Sequence, residues 1–283
     1  MPNAILLISC PDKRGITAAV TNFVYDNNGN IVHVEQHIDD QINTFFMRIE
    51  WSLEGFKIKR EEITRDFSRI AEKFSMKWDL YFTDVLPKTA IFVSKRLHCL
   101  YDLLLRYKEG QLACEIALVV SNHPDAGKVA KEFGISFHEF SITSDNKHEQ
   151  EKKELEVLKK LGIELVILAR YHQILSENFV NEYSDKIINI HHSFLPAFPG
   201  KDPYAKAYGK GVKIIGATSH YVTKDLDEGP IIEQGTVRIS HKDTLAELIR
   251  NGEDLEKLVL SRAVLWHLER KVLRYGNKTV VFD

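Results

Sequence analysis

The chain has 283 residues, of which 44% are hydrophobic and 28% are charged, so it can bury one large core or two modest ones. Its formal net charge of −2 excludes a strongly basic surface, and we expect neither a nucleic-acid partner nor a membrane partner. Three widely spaced cysteines, Cys10, Cys99 and Cys114, form no CxxC pair, which disfavours a disulfide framework and a zinc site, and no metal is predicted. We recognise no signal peptide and no apolar run of membrane-spanning length, so we expect a cytoplasmic protein.

The N-terminal segment, residues 1–84, has the predicted element order βαββαβ, which is that of a ferredoxin-like domain. Runs and alternations of apolar residues predict four strands, and apolar residues at helical spacing predict two helices. The predicted strands are Ala4–Ser9, Ile31–Ile38, Thr44–Trp51 and Met76–Phe82, and the predicted helices are Ile16–Tyr25 and Ile58–Phe74.

The turn before the first helix, Asp12-x-x-Gly15-Ile16, resembles the signature of ACT domains, which bind small effectors, usually amino acids. The resemblance implies that Asp12 and Gly15 belong to an effector site. It also implies pairing through this domain, so we expect a homo-oligomer. An alternative from the residues alone is that Asp12 caps the helix and Gly15 lets it start tightly.

Residues 88–283 form the second predicted domain, after a boundary at 83–88 that contains Pro87. Short apolar strands alternate here with crossover helices, which predicts a Rossmann-like, mostly parallel sheet and an α/β fold class. The strands are predicted at Ala90–Val93, Ile116–Ser121, Phe137–Phe140 and Leu165–Ala169, and the helices at Leu97–Tyr107, Ala126–Phe133 and Glu149–Leu161. Further on, we predict a helix over Asp243–Leu273, broken near Gly252, and an edge strand over Thr279–Phe282.

The loop after the first strand of this domain, residues 93–98, lacks the GxGxxG pattern of dinucleotide-binding folds. A nicotinamide cofactor is therefore disfavoured. Lys95 and Arg96 in this loop could meet an anion, but we expect them in solvent.

Two stretches carry a candidate active site. Ile187–Gly200, with the sequence IINIHHSFLPAFPG, reads as a buried strand that ends in polar residues, and ligands of open parallel sheets bind at that end. Asn189 and His191 can donate hydrogen bonds to an oxyanion, and Asp227 can orient a histidine or take a proton from water. Such a trio suits attack on an acyl or formyl carbonyl without a metal or a covalent nucleophile. An Asn at a strand end is also a common cap or turn residue, so the whole pattern, not one residue, supports the site.

That pattern is NxHxSxLPxFxG from Asn189, then His220, then LDxGP from Leu226, and it resembles the formyltransferase family that uses 10-formyltetrahydrofolate. The resemblance implies that Asn189, His191 and Asp227 are catalytic and that His220 supports them. It implies a folate substrate and no additional cofactor. It also implies a pterin pocket, and the residues that we carry over to it are Gln173, Leu175, Tyr221 and Val222. From the residues alone, an alternative is that the segment that contains Gln173 is a surface turn at a strand end.

The branch of this family that hydrolyses 10-formyltetrahydrofolate matches better than the branch that formylates glycinamide ribonucleotide. The turn after the first strand lacks the glycines that cradle a phosphate, an ACT-like domain is present, and His-His-Ser-Phe follows the Asn-Ile pair. The resemblance thus implies hydrolysis to formate and tetrahydrofolate, which supplies formate for purine synthesis and balances one-carbon pools.

Two alternatives stay open: formyl transfer to an amine acceptor, and a non-catalytic sensor of folate and an amino acid. His172 and Pro199 depart from the residues usual in the family and could change the shape of the pocket.

Overall fold

The computed structural model describes residues 2–197 and 203–283, so the motif residues Phe198, Pro199 and Gly200 lie outside the described residues. The chain divides into two compact units. The first comprises residues 1–86, 269–275 and 280–283, and the second comprises residues 87–268 and 276–279. The domain boundaries 1–84 and 88–283 stay predictions, and the compact units differ from them by assigning two C-terminal segments to the first unit.

The first unit contains a four-stranded antiparallel sheet in the order β2-β3-β1-β4. Its elements in chain order are β1 (Asn3–Pro11), α1 (Ile16–Asp26), β2 (Asn30–Asp39), β3 (Thr44–Ser52), α2 (Ile63–Phe74) and β4 (Lys77–Phe82). One face of the sheet packs against both helices, through residues such as Phe23 and Phe67. The predicted βαββαβ order is confirmed.

The other face of this sheet is also buried, which explains the nearly continuous apolar sequence of β1. Leu7 and Phe46 project to this face, where they pack with Leu273 and Phe282 of the C-terminal segment. The buried Arg48 donates hydrogen bonds to two backbone carbonyls of the same segment, at positions 269 and 270. The C-terminal residues therefore complete the core of the first unit.

The C-terminal segment forms a separate hairpin, β12 (Val272–Tyr275) and β13 (Lys278–Val281). The strand predicted over Thr279–Phe282 exists as β13, but it pairs with β12 and is not an edge strand of the large sheet. The pairing is local because Gly276, with φ 55°, allows a tight turn between the two strands.

The second unit contains a seven-stranded sheet in the order β11-β10-β9-β8-β5-β6-β7. Its strands are β5 (Lys88–Val93), β6 (Glu115–Ser121), β7 (Ser136–Glu139), β8 (Leu165–Leu168), β9 (Ile187–His191), β10 (Ile214–Tyr221) and β11 (Ile231–Arg238). Its helices are α3 (His98–Lys108), α4 (Asp125–Glu132), α5 (Lys147–Leu161), α6 (Glu177–Glu182), α7 (Pro203–Lys210) and α8 (Leu245–Leu268). Strands β5 to β9 are parallel to one another, and β10 runs antiparallel to both of its neighbours, β9 and β11. The predicted Rossmann-like, mostly parallel sheet is confirmed.

The predicted break in the last helix is wrong, since α8 runs without interruption through Gly252. A Cβ at Gly252 would lie 2.3 Å from the hydroxyl oxygen of Tyr204, so the glycine gives this ring room against the helix. Glycine in a helix interior costs about 1 kcal/mol relative to alanine. Tertiary packing therefore explains a residue whose local preference is against helix.

Candidate active site

Strand β9 delivers two of the predicted catalytic side chains to one place. Its first two residues, Ile187 and Ile188, are fully buried, as the apolar run predicts. Because side chains alternate along a strand, Asn189 and His191 project from the same face at its carboxyl end. In the pairing with β10, His220 lies opposite Asn189, and Asn189 Nδ2 is 3.2 Å from His220 Nε2. The sheet register therefore sets the position of the third polar side chain.

Asp227 enters the site from the loop between β10 and β11. This loop folds back on β10, because the Tyr221 amide donates to the Pro230 carbonyl over 2.9 Å. A Cβ at Gly229 would lie 1.8 Å from the Tyr221 carbonyl oxygen, so only glycine permits this approach. The side chain of Asn277 also donates to the Glu228 carbonyl over 2.9 Å. Asp227 itself has φ 57°, a left-handed conformation that loop closure imposes on it.

The Asp227 carboxylate lies between the two histidines. Its Oδ2 is 3.2 Å from His191 Nδ1, and its Oδ1 is 3.7 Å from His220 Nε2. Burial alone would raise the pKa of Asp227, but its interactions with the nearby side chains of His191 and His220 together hold that pKa well below its usual range. The carboxylate is therefore ionised at neutral pH. His191 Nε2 is buried and has no hydrogen-bond partner among the described residues.

A cavity of about 500 Å³ opens on these groups, a size that suits a folate head group. Asn189, His191, His220 and Asp227 all line it. Of the residues predicted to bind the pterin, Gln173, Leu175 and Val222 line it as well.

Tyr221 is the one predicted site residue whose side chain the structure directs elsewhere. Side chains alternate at the end of β10, so His220 and Val222 face the cavity while Tyr221 faces the interior and is 3% exposed. Its hydroxyl lies 2.7 Å from His267 Nδ1. This geometry gives Tyr221 a packing contact within the unit.

Two buried glutamates of α5 support the cavity wall from behind, and sequence reasoning missed both. Glu154 accepts a hydrogen bond from the Tyr171 hydroxyl over 3.1 Å, and Glu151 accepts one from the Ser176 amide over 3.0 Å. Burial, with a smaller contribution from the charge of Glu151, raises the pKa of Glu154 to about 7. In the sequence, both residues read as part of a charged, solvated helix, and no local pattern distinguishes them.

A third buried acid, Glu256 of α8, contacts side chains from two helices, α3 and α7, and from the loop after β8. Its Oε1 accepts from the Tyr204 hydroxyl over 2.6 Å, and its Oε2 lies 2.8 Å from His98 Nε2 and 3.5 Å from Arg170 Nε. Burial raises the pKa of Glu256, but the hydrogen bond from His98 and the charge of Arg170 outweigh burial, so the net shift is downward. This ionised hub was not predicted either.

The ligand-type atoms of His98, Cys99 and Glu256 lie within 4.8 Å of one another. Burial and the charge of Glu256 raise the pKa of the Cys99 thiol well above its usual value, which keeps it protonated. A hydrogen-bond contact of 2.8 Å between His98 Nε2 and Glu256 Oε2 joins two of these three side chains. Nearby, Lys95 is exposed, and Arg96 is 58% exposed with only a surface ion pair to Glu253. Both side chains therefore lie in solvent, as expected.

The predicted effector residues lie at the start of α1 in the first unit. Gly15 is the N-cap residue with φ 92°, and no side chain among the described residues caps this helix. The alternative in which Asp12 caps α1 is therefore wrong. The Asp12 amide donates to the Asn43 carbonyl over 3.0 Å, and its carboxylate is available for another role.

Comparisons with known proteins agree with the division of the chain into an N-terminal unit and a larger second unit. The family model described as formyl transferase matches residues 87–264, and the model for the ACT domain matches residues 4–72. A glycinamide ribonucleotide transformylase from Symbiobacterium toebii shares the fold over 72% of this chain and 98% of its own, with a TM-score of 0.67 and 28% identity. The fold and the site thus define a protein of the formyl transferase class.

Full-length relatives narrow the class. A formyltetrahydrofolate deformylase from Synechocystis sp. is 53% identical over 99% of this chain and 98% of its own length, and one from Bacillus subtilis is 47% identical over 98% and 93%. The crystal structure of a formyltetrahydrofolate deformylase from Pseudomonas syringae pv. tomato covers 100% of this chain and 95% of its own, with a TM-score of 0.98 and 41% identity. The chain belongs to the formyltetrahydrofolate deformylase family.

Among the described residues, no helix combines the length and the apolar character needed to cross a membrane.

Proposed function

We propose that this protein hydrolyses 10-formyltetrahydrofolate to formate and tetrahydrofolate, which supplies formate for purine synthesis and balances one-carbon pools. The observation that carries the proposal is the arrangement around His191. Its Nδ1 faces an ionised carboxylate, its side chain lines the cavity, and its buried Nε2 has no hydrogen-bond partner among the described residues. Full-length similarity to proteins named formyltetrahydrofolate deformylase supports the choice of hydrolysis over formyl transfer to an amine, which the comparisons do not favour.

In the proposed mechanism, Asn189 and His191 bind the formyl oxygen. One N–H of the Asn189 amide faces His220 at 3.2 Å, which leaves the other N–H for the substrate. His191 donates from Nε2, and the Asp227 carboxylate stabilises the positive charge that the ring carries while it does so. Each such donor is worth about 3–4 kcal/mol of the activation barrier.

Water attacks the formyl carbon and forms a tetrahedral intermediate. Because its lowered pKa makes Asp227 a weak base at rest, we assign it first to orienting His191 and the water. As the intermediate collapses, one proton of the water passes through Asp227 to N10, the bond from carbon to N10 breaks, and formic acid loses its remaining proton to solvent. Every proton is accounted for by these side chains and water, so the proposed step uses no metal and no cofactor.

The test is to incubate the purified full-length protein with 10-formyltetrahydrofolate and no acceptor, and to measure formate and tetrahydrofolate separately. Equal amounts of the two products are the expected result. Tetrahydrofolate that appears only after an amine is added, without an equal amount of formate, would identify a transferase, and binding of the folate without any turnover would identify a sensor.

We infer that the first unit binds a small effector, with Asp12 and Gly15 at the site. The match to the ACT family supports this, as does an N-terminal helix turn that no side chain caps. Calorimetry with the twenty amino acids, on wild type and on Asp12→Ala, tests it. We expect one amino acid to bind to wild type and to bind weakly or not at all to the variant, and the absence of any heat would refute the inference.

We also infer a homo-oligomer that forms through β2. This strand is at the edge of its sheet, runs for ten residues and exposes Val32, Val34 and Ile38. A long apolar edge is a ready template for pairing with a second copy. Val34→Lys should shift the sedimentation coefficient toward the monomer, whereas an unchanged oligomer would point to another interface.

The predicted cytoplasmic location remains part of the proposal. All three cysteines are free and buried, which is the pattern expected in a reducing compartment.

A further inference from the structure

One wall of the cavity is formed by the loop between β8 and α6, residues 169–176. All six residues from Arg170 to Leu175 line the cavity, and among them are Gln173 and Leu175, which were predicted to bind the pterin. Arg170 has φ 63°, a left-handed conformation that a residue with a side chain rarely adopts without support from its surroundings. The shape of this wall therefore depends on the contacts that hold the loop in place.

Ser94, which follows β5, holds this loop on both sides of Tyr171. The Ser94 amide donates a hydrogen bond to the Arg170 carbonyl over 3.2 Å, and the Ser94 hydroxyl accepts one from the His172 amide over 3.1 Å. Ser94 is 3% exposed, so both bonds are largely shielded from water. One residue thus fixes the two peptide groups that flank Tyr171.

The hydroxyl of Ser94 is itself oriented by a residue from a third loop. A hydroxyl has one proton to donate, and Ser94 Oγ donates it to Asn122 Oδ1 over 2.7 Å. Asn122 follows β6, and β8, β5 and β6 are neighbours in the sheet, so all three loops meet at the carboxyl ends of adjacent parallel strands. The bond to Asn122 leaves the lone pairs of the hydroxyl for the His172 amide.

Ser94 is separate from the groups that would carry out the reaction. Neither Ser94 nor Asn122 is among the described residues that line the cavity. The trio comes from other elements, with Asn189 and His191 on β9 and Asp227 in the loop between β10 and β11. We therefore expect a change at Ser94 to alter the binding of folate through the loop and to leave the chemical step nearly unchanged.

We propose that Ser94 is a positioning residue for folate binding, whose hydroxyl, oriented by Asn122, sets the conformation of the loop that lines the cavity. This rests on the proposed function, because it takes a folate as the ligand of the cavity. In Ser94→Ala, the His172 amide loses its acceptor while the backbone bond to the Arg170 carbonyl stays. The loop is then released on one side, and folate must order it on binding, which weakens the affinity.

The test measures binding and turnover separately on the full-length protein. Equilibrium binding of tetrahydrofolate and steady-state release of formate are compared for wild type, Ser94→Ala and the matched control Ser261→Ala. Ser261 is also 3% exposed, but its hydroxyl donates to the Leu258 carbonyl within α8. Ser94→Ala should raise the tetrahydrofolate dissociation constant and KM about tenfold and leave kcat within about threefold, whereas Ser261→Ala should match wild type. Hydrogen exchange of the peptide that contains His172 should be faster in Ser94→Ala alone.

Variants of Asn122 test the network from its other end. Asn122→Asp keeps an acceptor for the Ser94 hydroxyl and should weaken binding less than Asn122→Ala, which removes it. Because Asn122 acts through Ser94, the double variant Ser94→Ala/Asn122→Ala should bind tetrahydrofolate no more weakly than Ser94→Ala. A circular-dichroism melt checks that each variant is folded.

A dissociation constant for folded Ser94→Ala within about threefold of wild type would overturn the proposal, as would a loss of kcat without a loss of binding. If Ser94→Ala fails to fold, the Asn122 variants decide: equal binding by Asn122→Ala and Asn122→Asp rejects the network, and weaker binding by Asn122→Ala supports it. A wild-type protein that binds tetrahydrofolate but releases no formate would refute the proposed function, and the binding comparison would still decide the role of Ser94.

Discussion

Replacing Asp227 by asparagine removes one charge while nearly preserving the shape of the side chain. At the observed 3.2 Å between Asp227 Oδ2 and His191 Nδ1, Coulomb's law with an effective dielectric constant of about 20 gives an interaction of about 5 kcal/mol with a charged imidazole. The loss will be smaller, because the Asp227 side chain is 16% exposed and asparagine keeps an acceptor oxygen. If half of the interaction is lost in the transition state, the barrier rises by about 2.6 kcal/mol, which is about a hundredfold in turnover.

The assay is single-turnover release of formate, combined with equilibrium binding of tetrahydrofolate. Asp227→Asn should reduce the rate about a hundredfold and leave the dissociation constant within a factor of about three, because the carboxylate acts on the transition state. The matched control is Glu228→Gln, which neutralises an exposed acid next in sequence that does not line the cavity, and wild-type rates are expected there. A rate for Asp227→Asn within tenfold of wild type would refute the role of the carboxylate. Equal losses in both variants would show that the net charge of the loop matters, not the contact with His191.

Three further predictions concern the frame of the site. Gly229→Ala should abolish formate release and lower the melting temperature, since its Cβ would lie 1.8 Å from the Tyr221 carbonyl oxygen. The control is Gly209→Ala in α7, where a Cβ would meet no atom within 4 Å, and this variant should melt at or above the wild-type temperature. An active Gly229→Ala would contradict the loop geometry. Tyr221→Phe should cost about 1 kcal/mol of stability through loss of the contact with His267 and should leave KM for the folate unchanged. A KM raised more than about threefold would show that the Tyr221 side chain contacts the substrate. The pKa of Glu154 is raised from 4.5 to about 7, so its contribution to stability is full below 4.5 and is lost as the pH rises through about 7. In acid, Glu154→Gln and wild type should therefore unfold at the same denaturant concentration. At about pH 8 the variant should unfold at a higher concentration, which corresponds to a gain of up to about 3 kcal/mol in the free energy of unfolding. Equal midpoints of variant and wild type at both pH values would show that Glu154 is charged in the folded protein at pH 8 and that its pKa is not raised.

Features that depend on residues near one another in the sequence were predictable, and features that depend on residues distant in the sequence were not. Strands and helices were predictable wherever apolar residues form a continuous run, as in β1 and β9, alternate, as in β2, or recur every third to fourth residue, as in α2, because each of these patterns encodes which faces are buried. The same reasoning failed at Gly252, where the ring of Tyr204, 48 positions away, removes the expected break. It also could not distinguish the buried Glu256 from a surface glutamate, although side chains from three elements contact it.

The sequence by itself determined the βαββαβ element order and the mostly parallel sheet, and it pointed through the family resemblance to the class of chemistry. It also predicted the trio, because the strand ending in Asn189 and His191 and the glycine-dependent loop carrying Asp227 are each recognisable from a short stretch of sequence. Only the tertiary structure decided that Tyr221 faces inward, that two buried glutamates contact residues next to the cavity, and that the buried Arg170 lines the same cavity as the trio. These features depend on which residues distant in the chain meet across a sheet or around a buried charge. The local spacing of apolar residues contains no information about such long-range contacts.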